Sequence, residues 1–340
     1  MPYIPYRTRV RLRKLAVALV IIVVLLLLTA IGFVIYLQRF LVYSADGVRL
    51  EFSPSTESRT PPEKLEPLPD AQVVVDTSPM EDTSAMTRLE GIYVTTDMLD
   101  DTDAILEAVQ SAEGQVAVLL DVKSIYGNFC YSTAIPGAET SSSVDVTAVD
   151  QLIADLNANG RVYLIARLPA FRDSSYALAN QSCGLPLDNG ALWMDSDSCY
   201  WLDPANQQVL SYLQSILSEL AGLGFEEVVL SDFTFPTSQN IAYDGDRVAA
   251  VLDAAHRLSS NHTESSPALS LATTDPALAA YADRVYLTSS DGSQVQALVD
   301  TFSDVYDTLH DRVVFLTDSR DTRFSDYGVL RPAVTADSEE

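Results

Sequence analysis

The sequence predicts an α/β fold: a (β/α)8 TIM-like barrel, incomplete at its C-terminal end and preceded by one transmembrane helix. Three observations predict it. Residues 15–37 read LAVALVIIVVLLLLTAIGFVIYL, a run without a charge. Beyond residue 86, short continuous apolar runs alternate with amphipathic helical patterns, as strands buried on both faces of a parallel sheet do. That alternating part, residues 87–332, is about the usual size of a barrel. An open doubly wound sheet fits the same alternation, but no G-x-G-x-x-G follows the first strand.

The elements follow in chain order. Residues 1–14 are a basic tail carrying Arg7, Arg9, Arg11, Arg13 and Lys14 and no acid. A bilayer core needs about 20 apolar helical residues, so residues 15–37 are long enough to span. Basic flanks stay cytoplasmic, which turns the rest of the chain outward. The competing reading is a cleaved signal peptide, but the apolar run is longer than an ordinary signal core and no A-x-A site follows. Residues 38–86 read as an extended linker, with SPSTESRTPPEKLEPLPD at Ser53–Asp70 too polar and proline-rich to bury a core.

The strand candidates are Gly91–Thr95, Val116–Val122, Val162–Leu168, Glu227–Phe233, Ala268–Thr273, Val285–Ser289 and Val313–Thr317. Tyr327–Pro332 is the one candidate for an eighth, and no helix follows it. Between them, Ile105, Leu106 and Val109 share a helical face, as do Val149, Leu152, Ile153 and Leu156. Asp203-Pro204 reads as an N-cap and first-turn proline for a helix running to Gly222. Residues 244–259 and 293–310 read as two more helices. Residues 333–340 are a disordered polar tail.

Composition excludes several functions. The net charge is −26, from 21 basic and 47 acidic residues. Six of the basic residues lie before position 40, leaving −32 on the remainder. Such a chain repels nucleic acid and anionic polymers. Three His and three Cys are little material for a zinc site, and no cofactor or metal is expected. P-loop, G-x-S-x-G and H-E-x-x-H motifs are lacking. Cys183 and Cys199 suit a loop disulfide outside the cell, with Cys130 left over and buried.

In either α/β architecture, ligands bind at the carboxyl ends of the strands. Asp232 follows the apolar Val228-Val229-Leu230, so its carboxyl is expected to be desolvated on one side and tuned for proton transfer or nucleophilic attack. The competing reading is an aspartate capping a turn. Asp121 and Lys123 share one face of the second strand, as a substrate-orienting pair or as a structural salt bridge. Arg167, inside an apolar run, needs a carboxylate partner, for which Asp121 and Asp232 are candidates. Asp275, Asp291 and Asp318 end later strands. Tyr126 and Trp201 could stack on sugar rings, or only pack loops.

Several segments together resemble a TIM-barrel family of glycoside-hydrolase type, first catalogued as a bacterial domain of unknown function and distantly related to α-amylase-like barrels. They are LEGIYVT (from Leu89), LLDVKSIYGNFCY (Leu119–Tyr131), VYLIARLPAFRD (Val162–Asp173), ALWMDSDSCYWLDPANQQV (Ala191–Val209) and LGFEEVVLSDFTFP (Leu223–Pro236). The resemblance implies a polysaccharide-directed barrel with Asp232 as the strand-four acid, and with Asp121, Lys123 and Arg167 on family positions. Two departures stand out. The family reads D-Y-V-R-F-P after strand four, whereas Asp232–Pro236 is one residue shorter and lacks the arginine. An acid expected within strand five is replaced by ALSLATT, with Asp275 only later. The expectation is a membrane-anchored, extracellular glycoside hydrolase acting on envelope or extracellular polysaccharide, with catalytic Asp232, Asp121 and Asp275 and substrate-binding Lys123, Arg167, Tyr126 and Trp201. The alternative is a catalytically degenerate barrel that binds glycan or serves as an envelope scaffold.

Overall fold

The computed structural model describes residues 88–333, apart from 262, 264 and 265, together with two short strands earlier in the chain. The basic tail, the transmembrane segment 15–37, most of the linker and the last seven residues lie outside the described residues. Among those described, no helix is long and apolar enough to cross a membrane. Within the segment read as linker, Leu41–Ser44 and Gly47–Leu50 pair as an antiparallel hairpin.

The remaining described residues build eight parallel strands in a closed barrel. They are β1 (Glu90–Val94), β2 (Val116–Asp121), β3 (Val162–Pro169), β4 (Glu227–Ser231), β5 (Ala268–Leu271), β6 (Val285–Thr288), β7 (Val313–Leu316) and β8 (Gly328–Pro332). Each neighbours the next in sequence, and the closure removes the open-sheet alternative. It also corrects the expectation of an incomplete C-terminal end. β8 pairs with β7 through Val314↔Gly328 and with β1 through Val329↔Glu90. The strand is disguised in the sequence because Arg331 and Pro332 interrupt its apolar run. Arg331 reaches out to the Ser319 carbonyl at 3.1 Å. β5 and β6 meet at one register pair, Val285↔Leu271.

β1 and β2 approach so closely that a Cβ at Gly91 would fall on the Ala117 carbonyl, which is why the second residue of β1 is glycine. Inward-facing Leu119, Ile165, Val229, Val314 and Leu330 fill the barrel's axis. The floor at the amino ends is polar. Glu227, wholly buried, accepts from Ser270 and Tyr286 on one oxygen and from Tyr163 and Arg284 on the other, at 2.6–3.1 Å. Four donors on one carboxylate compensate its desolvation.

Outside the barrel lie α1 (Thr102–Ser111), α2 (Val146–Ala158), α3 (Ser174–Ala179), α4 (Gln207–Gly222), α5 (Arg247–Ser260), α6 (Pro276–Ala279), α7 (Val295–Asp300) and α8 (Leu309–Arg312). Much of the acidity is used here. Asp101, Asp145, Asp173, Asp246 and Asp275 each accept from a first-turn amide as an N-cap. Such caps are worth about 1 kcal/mol each. Two expected helices are redrawn. α4 starts later than Asp203-Pro204, because Asp203 takes the Ala205 amide in a turn and Asn206 is the cap. The helix expected over 293–310 breaks into α7 and α8, with Tyr306 between them donating to the Ala279 and Ala282 carbonyls.

Candidate active site

The parallel register sets Asp121 beside Arg167 at the carboxyl ends of β2 and β3. Arg167 Nε and Nη2 donate to Asp121 Oδ1 and Oδ2 at 2.5 and 2.8 Å. This two-bond fork is the strong form of the pair. Arg167 therefore has the carboxylate partner it needs, and Asp121 is occupied as its holder. Tyr93, on β1, feels Asp318, Arg167 and Asp121, and burial pushes its phenol above the ordinary range.

Asp232 follows β4 directly. Its φ is +49°, one of two positive values at non-glycine residues among the described positions. An L-residue there is strained, at roughly 1–2 kcal/mol, and such strain gathers at functional sites. Burial raises its pKa, opposed by Arg172 and by the Ser231 hydroxyl at 3.4 Å. Asp232 is also one of the residues lining a cavity of about 470 Å³, with Thr234, Thr273, Asp275, Tyr286 and Thr288.

Arg172, in the loop after β3, is the residue the sequence reading passed over. Its Nη1 stands 3.8 Å from Asp232 Oδ1, while Nη2 holds Asp195 at 2.8 Å and Asp197 at 2.6 Å. The guanidinium lies over the Trp201 ring, 5.7 Å from its centroid. Trp201 Nε1 donates to Asp195 at 2.7 Å. The available signal was the Phe171-Arg172-Asp173 run that begins two residues after Pro169, the end of β3.

The other expected residues are placed as follows. Lys123 does not reach the mouth. Its side chain is fully buried, its Nζ donates to Asp173 at 2.8 Å, and Asp173 also takes the Tyr212 hydroxyl at 2.9 Å. It is a structural ion pair, because the chain leaves the barrel after Asp121 and packs Lys123 under the loops. Trp201 is buried, with Arg172 over its ring and its N–H on Asp195. Tyr126 is half-exposed at the rim, with its hydroxyl 3.4 Å from the Asp197 carbonyl. Asp275 shares the Asp232 cavity and caps α6 through the Ala277 amide at 2.9 Å. Asp291 is engaged with the Ser293 amide and hydroxyl on an exposed turn.

The expected disulfide does not form: Cys183, Cys199 and Cys130 are all free and buried. Pairing of Gly184 with Leu202 sets Cys183 against Asp203, whereas Met194 with Tyr200 sets Cys199 against Asp195. Four residues of extended chain, about 13 Å, then separate the cysteines, beyond disulfide reach. The Cys130 thiol is pushed up to about 12 by burial, unfit for nucleophilic work.

A closed parallel barrel with ionisable side chains gathered at its carboxyl end has the architecture of the barrel enzymes. Residues 91–269 match the family model described as "Putative glycosyl hydrolase domain", and the chain belongs to that family. No curated protein matches. Among solved structures, the chain is similar to a GH36 α-galactosidase, AgaA from Geobacillus stearothermophilus in complex with stachyose, at 14% identity and a TM-score of 0.52. That match covers 74% of this chain and 40% of the galactosidase, so the chain spans well under half of that enzyme's length. A hypothetical protein from Ruminiclostridium thermocellum aligns at 21% identity and a TM-score of 0.46, over 53% of this chain and 96% of that one. The glycoside hydrolase domain of PgaB (BpsB) from Bordetella bronchiseptica aligns at 13% identity and 0.46, over 67% and 84%. At 14% identity the likeness to the galactosidase shows the fold alone.

Proposed function

We propose that the barrel is a glycoside hydrolase in which Asp232 donates the proton to the departing glycosidic oxygen. The observation that carries this reading is the Asp232 carboxyl itself. It is raised in pKa by burial, and it belongs to a residue strained at positive φ that lines a cavity at the strand ends. A general acid must hold its proton near the working pH, and burial is the means of doing so. Hydrolysis needs a second carboxyl across the scissile bond. Asp275, on the same cavity, takes that role as nucleophile or as base toward water. Asp121 is instead the holder of Arg167.

The substrate class is an oligosaccharide or polysaccharide of the envelope or extracellular space. The basic residues 7–14 and the apolar run 15–37 support an anchored chain with the barrel outside the cell. A reporter fused to the C-terminus reads this directly: activity outside the membrane supports it, and activity only in the cytoplasm overturns it.

A second reading has its own observation. Asp121 is committed to Arg167 and Asp275 to a helix amide, which favours a barrel that binds glycan without cutting it. One experiment separates the two. The full chain, its Asp232→Asn variant and its Asp275→Asn variant are incubated with a panel of oligosaccharides, and both cleavage and binding are followed. Cleavage lost in both variants supports the hydrolase, and binding without cleavage supports the second reading. A panel neither bound nor cut overturns both.

A further inference from the structure

Arg172 is one cation among three carboxylates. Its Nη2 is held by Asp195 and Asp197 at 2.8 and 2.6 Å, while Asp232 receives only Nη1, at 3.8 Å. The Nε is buried with no acceptor, so the guanidinium does not turn its two-donor edge to Asp232 as Arg167 does to Asp121. The Trp201 ring beneath the plane and its N–H to Asp195 hold this tilt. Asp195 is fixed further by the amides of Asp197 and Cys199, both at 2.9 Å. The intervening turn contains Ser198 at φ +63°.

We propose that Asp197, acting through Arg172, is a positioning residue for Asp232: the two loop carboxylates hold the guanidinium to their side, so that Asp232 receives only a single long contact from it. The inference rests on the reading of Asp232 as proton donor. An arginine closing fully on Asp232 would stabilise the carboxylate and abolish the acid. An arginine removed altogether would leave Asp232 facing Asp195 and Asp197 without compensation. The observed tilt lies between these limits. The other charges that act on Asp232 are Lys123 from the segment after β2 and Arg167 from β3, each neutralised by its own partner, Asp173 and Asp121. Asp275, beyond the end of β5, lines the same cavity. Arg172 is therefore the cation whose share can be redistributed.

The two ends of this relay act in opposite directions. Asp197→Asn frees Arg172 toward Asp232 and removes a nearby negative charge, and both effects favour the carboxylate. Arg172→Met removes the cation and favours the neutral acid. The test is an NMR titration of the full chain carrying 13C-carboxyl-labelled aspartate, with the Asp232 resonance assigned by its loss in Asp232→Asn. The expected result is a downward shift of the Asp232 midpoint in Asp197→Asn and an upward shift of about 1–3 units in Arg172→Met. The alkaline limb of the pH–rate profile moves with each. Shifts in the same direction, or no shift, overturn the proposal. The Asp197 side chain is 61% exposed on a loop, so its variant keeps the barrel and decides the matter even where Arg172→Met does not fold. Opposed shifts in a chain that cuts no glycan leave the relay standing and remove the hydrolase reading. Cleavage with an unmoved titration does the reverse.

Discussion

Asp121 and Arg167 stand opposite one another on adjacent strands and join through two parallel hydrogen bonds, 2.5 and 2.8 Å long. Both side chains are more than four-fifths buried, at 16% and 19% exposure. Removing one partner strands the other's charge at the barrel mouth. Asp121→Asn is expected to lose about 3 kcal/mol of stability in urea unfolding. An Asp275→Ala variant, which loses only a helix cap, is expected to lose about 1 kcal/mol. Equal losses would mean that the fork does not hold the mouth together.

The Lys123–Asp173 pair gives a second stability prediction. Both side chains are fully buried, and Lys123 also lies 5.5 Å from the Tyr212 ring centroid. Lys123→Met leaves the Asp173 carboxylate with the Tyr212 hydroxyl and the Tyr176 amide but no counter-charge. It is expected to cost about 3–5 kcal/mol, and Lys123→Met with Asp173→Leu appreciably less, because the buried charge is then gone. Thermal melts of the two variants read the difference. A double variant worse than the single one would contradict a purely structural role.

Asp232 gives a pH prediction of opposite sense. Its folded pKa lies above the ordinary value of 3.8, chiefly through burial. The folded state therefore binds that proton more tightly than the unfolded chain does. The stability this supplies is complete below the unfolded pKa and is lost as pH rises through the folded value. At neutral pH the site is thus a destabilising element. Asp232→Asn should melt about 2–4 °C higher than the wild type there, with the pH-dependent part of the gain disappearing on acidification below 3.8. A variant melting lower at neutral pH would mean that the ionised Asp232 is well paired.

The strands were legible because burial on both faces leaves unbroken apolar runs. All seven clear runs are strands, and their ends differ from the structure by a few residues. β8 was harder, since a run ending in Arg331-Pro332 looks like a frayed terminus until β1 and β7 are seen to pair with it. At the site, Arg167 declared its need for a carboxylate by sitting in an apolar run. Lys123 misled, because period-two alternation with Asp121 assumes that the strand continues, and the chain turns away after Asp121. Arg172 and Asp197 were out of reach for another reason. Their meeting depends on the path of a long loop, and no local periodicity encodes that path.

The proposed proton donation by Asp232 is tested most directly by the dependence of its loss on the leaving group. On an oligosaccharide that the wild type cleaves, whose departing oxygen must be protonated, Asp232→Asn is expected to lower kcat by about 10²–10⁴-fold. On an aryl glycoside of the same sugar, whose leaving group departs without a proton, the loss should be far smaller. Equal losses on both substrates, or no loss on either, would contradict the assignment of Asp232 as the acid.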